Sequence, residues 1–131
     1  SPDVVIIAGG INDAGIYSPA QIGAAASSVF TTLRTELPEA RLVVIGPFHP
    51  NSPAPATIPA ARDAIFTAAS NAGIPDTIDP LPWFEDNAIE IGEDGTHPTN
   101  AGHAVLAADI GGVLAPVLEQ LQRERNGAPA S

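Results

Sequence analysis

Lysine, cysteine and methionine are all absent from this chain, and each absence has a consequence. Without cysteine there is no disulfide framework, no thiolate zinc centre and no cysteine nucleophile. Without lysine, the five basic residues are all arginines, set against 15 acidic ones for a formal charge of −10. Such a surface repels phosphate backbones, so nucleic acid is not an expected partner. Aromatic residues make up only 5%, which leaves Ala, Val, Ile and Leu to build the core of what reads as an ordinary globular α/β chain. No uninterrupted apolar run approaches the roughly 20 residues of a membrane span, and none is expected. The chain opens on Ser1 and enters an apolar strand within three residues, so the expectation is that part of the same domain precedes it.

What is present is a regular alternation of elements. Asp3-Val4-Val5-Ile6-Ile7-Ala8 is a continuous apolar run ending in Gly9-Gly10, the pattern of a buried parallel strand followed by a tight loop. Ser18-Pro19-Ala20-Gln21 carries a capping box with Pro at the first helical position. Ile22, Val29, Phe30, Leu33 and Leu37 then recur at helical spacing until Pro38. Arg41 to Gly46 is a second buried strand, and the proline-rich segment 47–59 is a long connection. A helix over Pro59–Ala72 is stopped by Gly73, Thr77-Ile78-Asp79 forms a third strand, and a loop with Trp83 and Phe84 leads to a last helix over about 99–122. Its stripe is Leu106, Ile110, Val113, Leu114, Val117 and Leu121, with Pro116 as a candidate kink.

The order β-α-β-α-β-α predicts a parallel sheet with helices on both faces. Three strands are few for that architecture. An apolar first strand also calls for a neighbour on each side, a second reason to expect further strands.

Two short segments carry chemistry. In Asp94-Gly95-Thr96-His97-Pro98 the carboxylate can accept from imidazole Nδ1–H, which fixes the tautomer and leaves Nε2 as a base. In isolation Asp94 could equally be a turn cap. Asn12 and Asp13 follow the glycines at a strand's C-terminal tip, where open sheets bind ligands. An amide there can donate to a developing oxyanion, or it can simply form an Asx-turn. His49, in the proline loop, is a candidate for lining a substrate cleft, and Trp83 and Phe84 for bordering a pocket. His103 reads as packing locally, and a zinc site from His49, His97 and His103 lacks the helical spacing that would support it.

Taken together, Gly10-Ile11-Asn12-Asp13 after a strand, two βα units, Asp94-x-x-His97-Pro98 and a helix beginning Gly102-His103 resemble the SGNH (GDSL-type) hydrolases over nearly the whole chain. The resemblance implies an α/β, three-layer fold with a flavodoxin-like parallel sheet whose N-terminal strands are missing. Residues 1–122 would be the C-terminal portion of one such domain and 123–131 a polar tail. It implies a serine esterase or lipase that cleaves acyl esters through an acyl-enzyme without a cofactor. In that reading His97 is the general base, Asp94 the acid that orients it (dispensable in some members), and Asn12 an oxyanion donor. Gly10 matches the glycine that lets substrate approach, and Asp13 holds the loop.

The departures are equally specific. The family's nucleophilic serine lies in a Gly-Asp-Ser segment that does not exist here. Serines 1, 18, 27, 28, 52, 70 and 131 occupy a terminus, a cap, helices or the proline loop, none in a nucleophile elbow. The expected partners are therefore a small-molecule, lipid or carbohydrate ester and the N-terminal part of the same domain, without which the chain is expected to be inactive. A non-catalytic module of the same fold, or an acyltransferase using the same residues, are the alternatives. The Lys-free, Ala- and Pro-rich composition is typical of GC-rich bacterial genomes, and the compartment is left open.

Overall fold

Three short runs of branched aliphatic residues pair into a parallel sheet. The computed structural model describes residues 2–85 and 89–127. Strands β1 (Val4–Ala8), β2 (Arg41–Ile45) and β3 (Asp76–Ile78) lie in the order β1-β2-β3, with Val4 opposite Arg41 and Val43 opposite Asp76. Across the β2–β3 pair, Arg41 Nε donates to Asp76 Oδ2 at 2.5 Å in a partly buried ion pair, which pins the register of the shortest strand.

Helix α1 (Pro19–Glu36) begins as its sequence predicts. The Ser18 hydroxyl accepts from Gln21 N–H at 3.3 Å, while Gln21 Oε1 accepts from Ser18 N–H at 3.0 Å. Helix α2 (Thr57–Asn71) starts two residues before the expected Pro59. Pro59 occupies the third helical position, where a missing N–H costs no intrahelical bond. Its end is a Schellman motif around Gly73 at φ +66°. Ile74 N–H reaches Ala69 O at 2.9 Å and Gly73 N–H reaches Ser70 O at 3.0 Å. Ile74, the hydrophobic residue of that motif, is buried.

These two helices cover one face of the sheet. Leu42 and Val44 project into a cluster with Ile22, Phe30, Ala61, Ile65, Ala68 and Ile74, and Val5 and Ile7 of β1 pack against it. Strand alternation sends Val43 and Ile45 to the opposite face, where they too are buried. Along that side runs α3 (Asn100–Arg125), tied to the lower end of the sheet by Arg125–Asp3 at 2.6 Å. Its half-buried residues are Val105, Leu106, Asp109, Ile110, Leu114, Val117, Gln120 and Leu121, which include the predicted stripe except for Val113, which is exposed. The α/β architecture with helices on both faces is thus the observed one.

Further details differ from the sequence-based expectation, among them β3, which covers Asp76–Ile78 rather than Thr77 to Asp79. The connection after β3 is not a plain loop: Leu81–Phe84 form a 3₁₀ turn, whereas Asp86, one of the acids expected there, lies outside the described residues. The last helix continues to Arg125 rather than about 122, because Arg123 and Arg125 in its final turn suit the negative end of the helix dipole; 128–131 of the expected tail lie outside the described residues. Finally, α3 is long and apolar enough, by length and composition, to cross a membrane, with a mean hydropathy of 1.6 over its richest window. In the sequence this helix shows no unbroken apolar run, because His103, Asp109, its glycines and Pro116 interrupt it.

β2 is buried on both faces. β1 has a strand neighbour on one side only among the described residues, and Ile6 is 48% exposed. An apolar strand with an open edge is the feature of this fold that most needs a covering element.

Candidate active site

The segment 90–99, which leads into α3, closes on itself. Ile91 and Pro98 form an antiparallel bridge, Gly92 N–H donates to His97 O at 2.8 Å, and Thr99 N–H donates to Glu90 O at 2.9 Å. Gly95, at φ +68°, makes the turn at its tip. Asp94 organises this tip with both oxygens. Oδ1 accepts the backbone N–H of Thr96 and of His97, each at 2.9 Å, and Oδ2 meets His97 Nδ1 at 2.7 Å. Asp94 thus caps the turn and bonds the ring of His97 at the same time. These bonds to the ionised form hold its carboxyl at about 2, below the usual carboxylate value. With Nδ1 engaged, Nε2 is the ring nitrogen left for proton transfer, and the imidazole is 79% exposed.

Asn12 is carried on the loop after β1. Gly10, at φ +107°, starts that loop, and a Cβ there would crowd Ile65 Cδ1. The Asp13 carbonyl then accepts from Ile16 and Tyr17 N–H at 3.1 and 3.0 Å, a turn that sets Asn12 at the C-terminal end of the sheet. Asn12 and His97 line one cavity of about 330 Å³ together with Phe48, Phe84, His103 and Leu106. The walls are mostly apolar, with a few polar side chains (Asn12, Thr96, His97 and His103) among them, the usual form of a small-molecule site.

The other predicted residues are placed elsewhere. Gly10 and Asp13 line a separate groove of about 460 Å³ against α1. His49 bonds within its own loop, its Nδ1 accepting from Asn51 N–H at 3.2 Å. Trp83 faces a hollow between β3 and α3, and reaches the cavity only through Phe48, whose ring centroid is 6.5 Å away. No described serine lines the cavity with His97; Ser52 borders a different hollow beside Arg62. Conversely, Phe48, Leu106 and His103 line the cavity without a sequence signal that points to it. His103 lies six positions after His97 on the first turns of α3, a spacing that gives no hint of a shared cavity.

With this geometry in view, the comparisons with known proteins are specific. The profile of the GDSL-like lipase/acylhydrolase family matches residues 1–105. The chain belongs to that family. As a GDSL-family chain it is 34% identical over 111 residues to a GDSL lipase of Mycobacterium tuberculosis, an alignment covering 82% of this chain and 48% of that protein. It thus spans about half the length of the curated relative it matches. The fold of the chain is similar to that of a protein from Lactobacillus plantarum, at a TM-score of 0.67 and 20% identity over 86% of this chain and 66% of that one. An α/β hydrolase from the metagenome of Lake Arreo gives 0.65 and 18%, over 86% of this chain and 59% of that one.

Proposed function

We propose that the intact protein carrying this chain is a serine esterase that cleaves carboxylic esters through an acyl-enzyme. The observation that carries this reading is the Asp94–His97 pair at 2.7 Å on the same apolar cavity as the Asn12 amide. A serine hydroxyl from a segment outside this chain attacks the ester carbonyl, and His97 Nε2 takes its proton. Asp94 holds Nδ1–H and balances the imidazolium. The negative charge that develops on the carbonyl oxygen is met by the Asn12 side-chain N–H. His97 returns the proton to the leaving alcohol, and water then repeats the cycle to release the acid.

The nucleophile arrives with the element that covers β1. Membership in the family, a chain about half the length of its relative and an open apolar strand edge support a further part of the same domain docking there. On this reading 1–122 is the C-terminal portion of one catalytic domain, inactive by itself. Its substrate is a small-molecule, lipid or carbohydrate ester whose apolar group enters the cavity between Phe48, Phe84 and Leu106. A p-nitrophenyl ester assay on the full-length protein, its His97→Ala variant and the isolated chain tests the proposal. Turnover confined to the parent is expected. Full activity in His97→Ala would overturn the assignment of the base.

A further inference from the structure

The imidazole of His97 is 79% exposed, so little beyond its own loop fixes it in place. What fixes the loop therefore fixes the base. Ile89, only 3% exposed, anchors the chain where it enters. Beyond it the backbone rungs at Glu90–Thr99 and Gly92–His97 close the loop. One side-chain bond crosses the same base: Thr99 Oγ1 donates to Glu90 Oε2 at 2.7 Å. The same hydroxyl oxygen accepts the N–H of Gly102 at 3.1 Å in the first turn of α3. Gly102 in turn lies so close to the Glu90 carbonyl that no Cβ fits. A single hydroxyl thus joins the arm entering the loop, the arm leaving it and the first turn of α3.

We propose that Glu90 and Thr99 are positioning residues for His97, locking its loop onto the N-terminus of α3. The inference rests on the reading of His97 as the base. Neither residue lines the cavity, so both act through the loop. Their contributions separate cleanly. Glu90→Ala removes the bond across the loop and leaves Thr99 capping α3. Thr99→Val removes both bonds at nearly constant shape, and Thr99→Ser restores both.

In the full-length protein, Glu90→Ala lowers kcat for p-nitrophenyl ester hydrolysis on the order of tenfold with KM changed less than about twofold, the scale of a modest misplacement of a reacting group. Thr99→Val falls further, and Thr99→Ser stays within about twofold of the parent. A ring ¹H–¹⁵N correlation spectrum adds a readout that needs no turnover. The parent shows His97 with its proton on Nδ1, facing Asp94, and Glu90→Ala shows a mixture of tautomers. Because this signal is independent of catalysis, it tests the lock even if His97→Ala retains activity and the esterase reading falls. Parent-like kcat and tautomer ratio in Glu90→Ala would overturn the proposal, as would a Thr99→Ser variant as impaired as Thr99→Val.

Discussion

Asp94 holds His97 at two points. One carboxylate oxygen accepts its backbone N–H at 2.9 Å and the other meets its ring Nδ1 at 2.7 Å. The two bonds answer different needs, since the first builds the turn and the second sets the tautomer. Asp94→Asn separates them, because an amide keeps one acceptor for the backbone and loses the other. We expect the loop to persist while kcat/KM falls roughly ten- to a hundredfold from a misassigned tautomer. That loss is smaller than for His97→Ala, as befits a pair open to solvent. Equal losses in the two variants would mean that Asp94 does more than orient the ring.

The acid limit of this arrangement follows from the same bonds. Asp94 is lowered from 3.8 to about 2 by hydrogen bonds from the backbone and ring of His97 and the backbone of Thr96, which favour its charged form. A depressed carboxylate contributes stability that is fully present above its unfolded value and is lost as pH falls through its folded value. The difference in melting temperature between the parent and Asp94→Ala should therefore be constant above about pH 4 and shrink toward pH 2. A difference that faded near neutral pH would point to a different group.

Much of this fold is legible locally. The capping box at Ser18, the stop at Pro38 and the glycine cap at Gly73 each depend on residues within five positions. So does the pairing of Asp94 with His97. What is not legible depends on distant elements converging. Phe48 from the β2–α2 connection, Phe84 from the 3₁₀ turn and Leu106 from α3 meet at one cavity, with no periodicity linking them. Trp83, adjacent to Phe84 in sequence, is turned toward β3 instead, because successive residues of a tight helix point in different directions. The Glu90–Thr99 lock is invisible for the same reason, since nine positions separate its partners.

Two glycines test how tightly the site is built. Gly102 abuts the Glu90 carbonyl, and a Cβ there cannot be accommodated without moving backbone. Although alanine is the better helix former by about 1 kcal/mol, Gly102→Ala should destabilise by about 2–3 kcal/mol through overpacking. Gly73 has open space around it but sits at φ +66°, so Gly73→Ala should cost only about 1 kcal/mol of left-handed strain. Chemical denaturation of both variants measures the difference. The order reversed would contradict the packing described at the base of the His97 loop.

The open edge of β1 makes the sharpest demand on the rest of the protein. Ile6 is 48% exposed on a strand of Val, Ile and Ala with a neighbour on one side only among the described residues. If the remainder of the domain covers this edge, Ile6 becomes a core residue in the full-length protein, and a charge there is buried without a partner. Ile6→Asp should then lower full-length stability by about 3 kcal/mol or more, the range of severe core lesions. It should also abolish capture of this chain by a separately expressed remainder. Were Ile6 to stay solvated, the same substitution would shift stability by less than about 0.5 kcal/mol, as at an ordinary surface position. A loss below that limit in the full-length protein would refute docking at β1, and the nucleophile would have to reach His97 by another path.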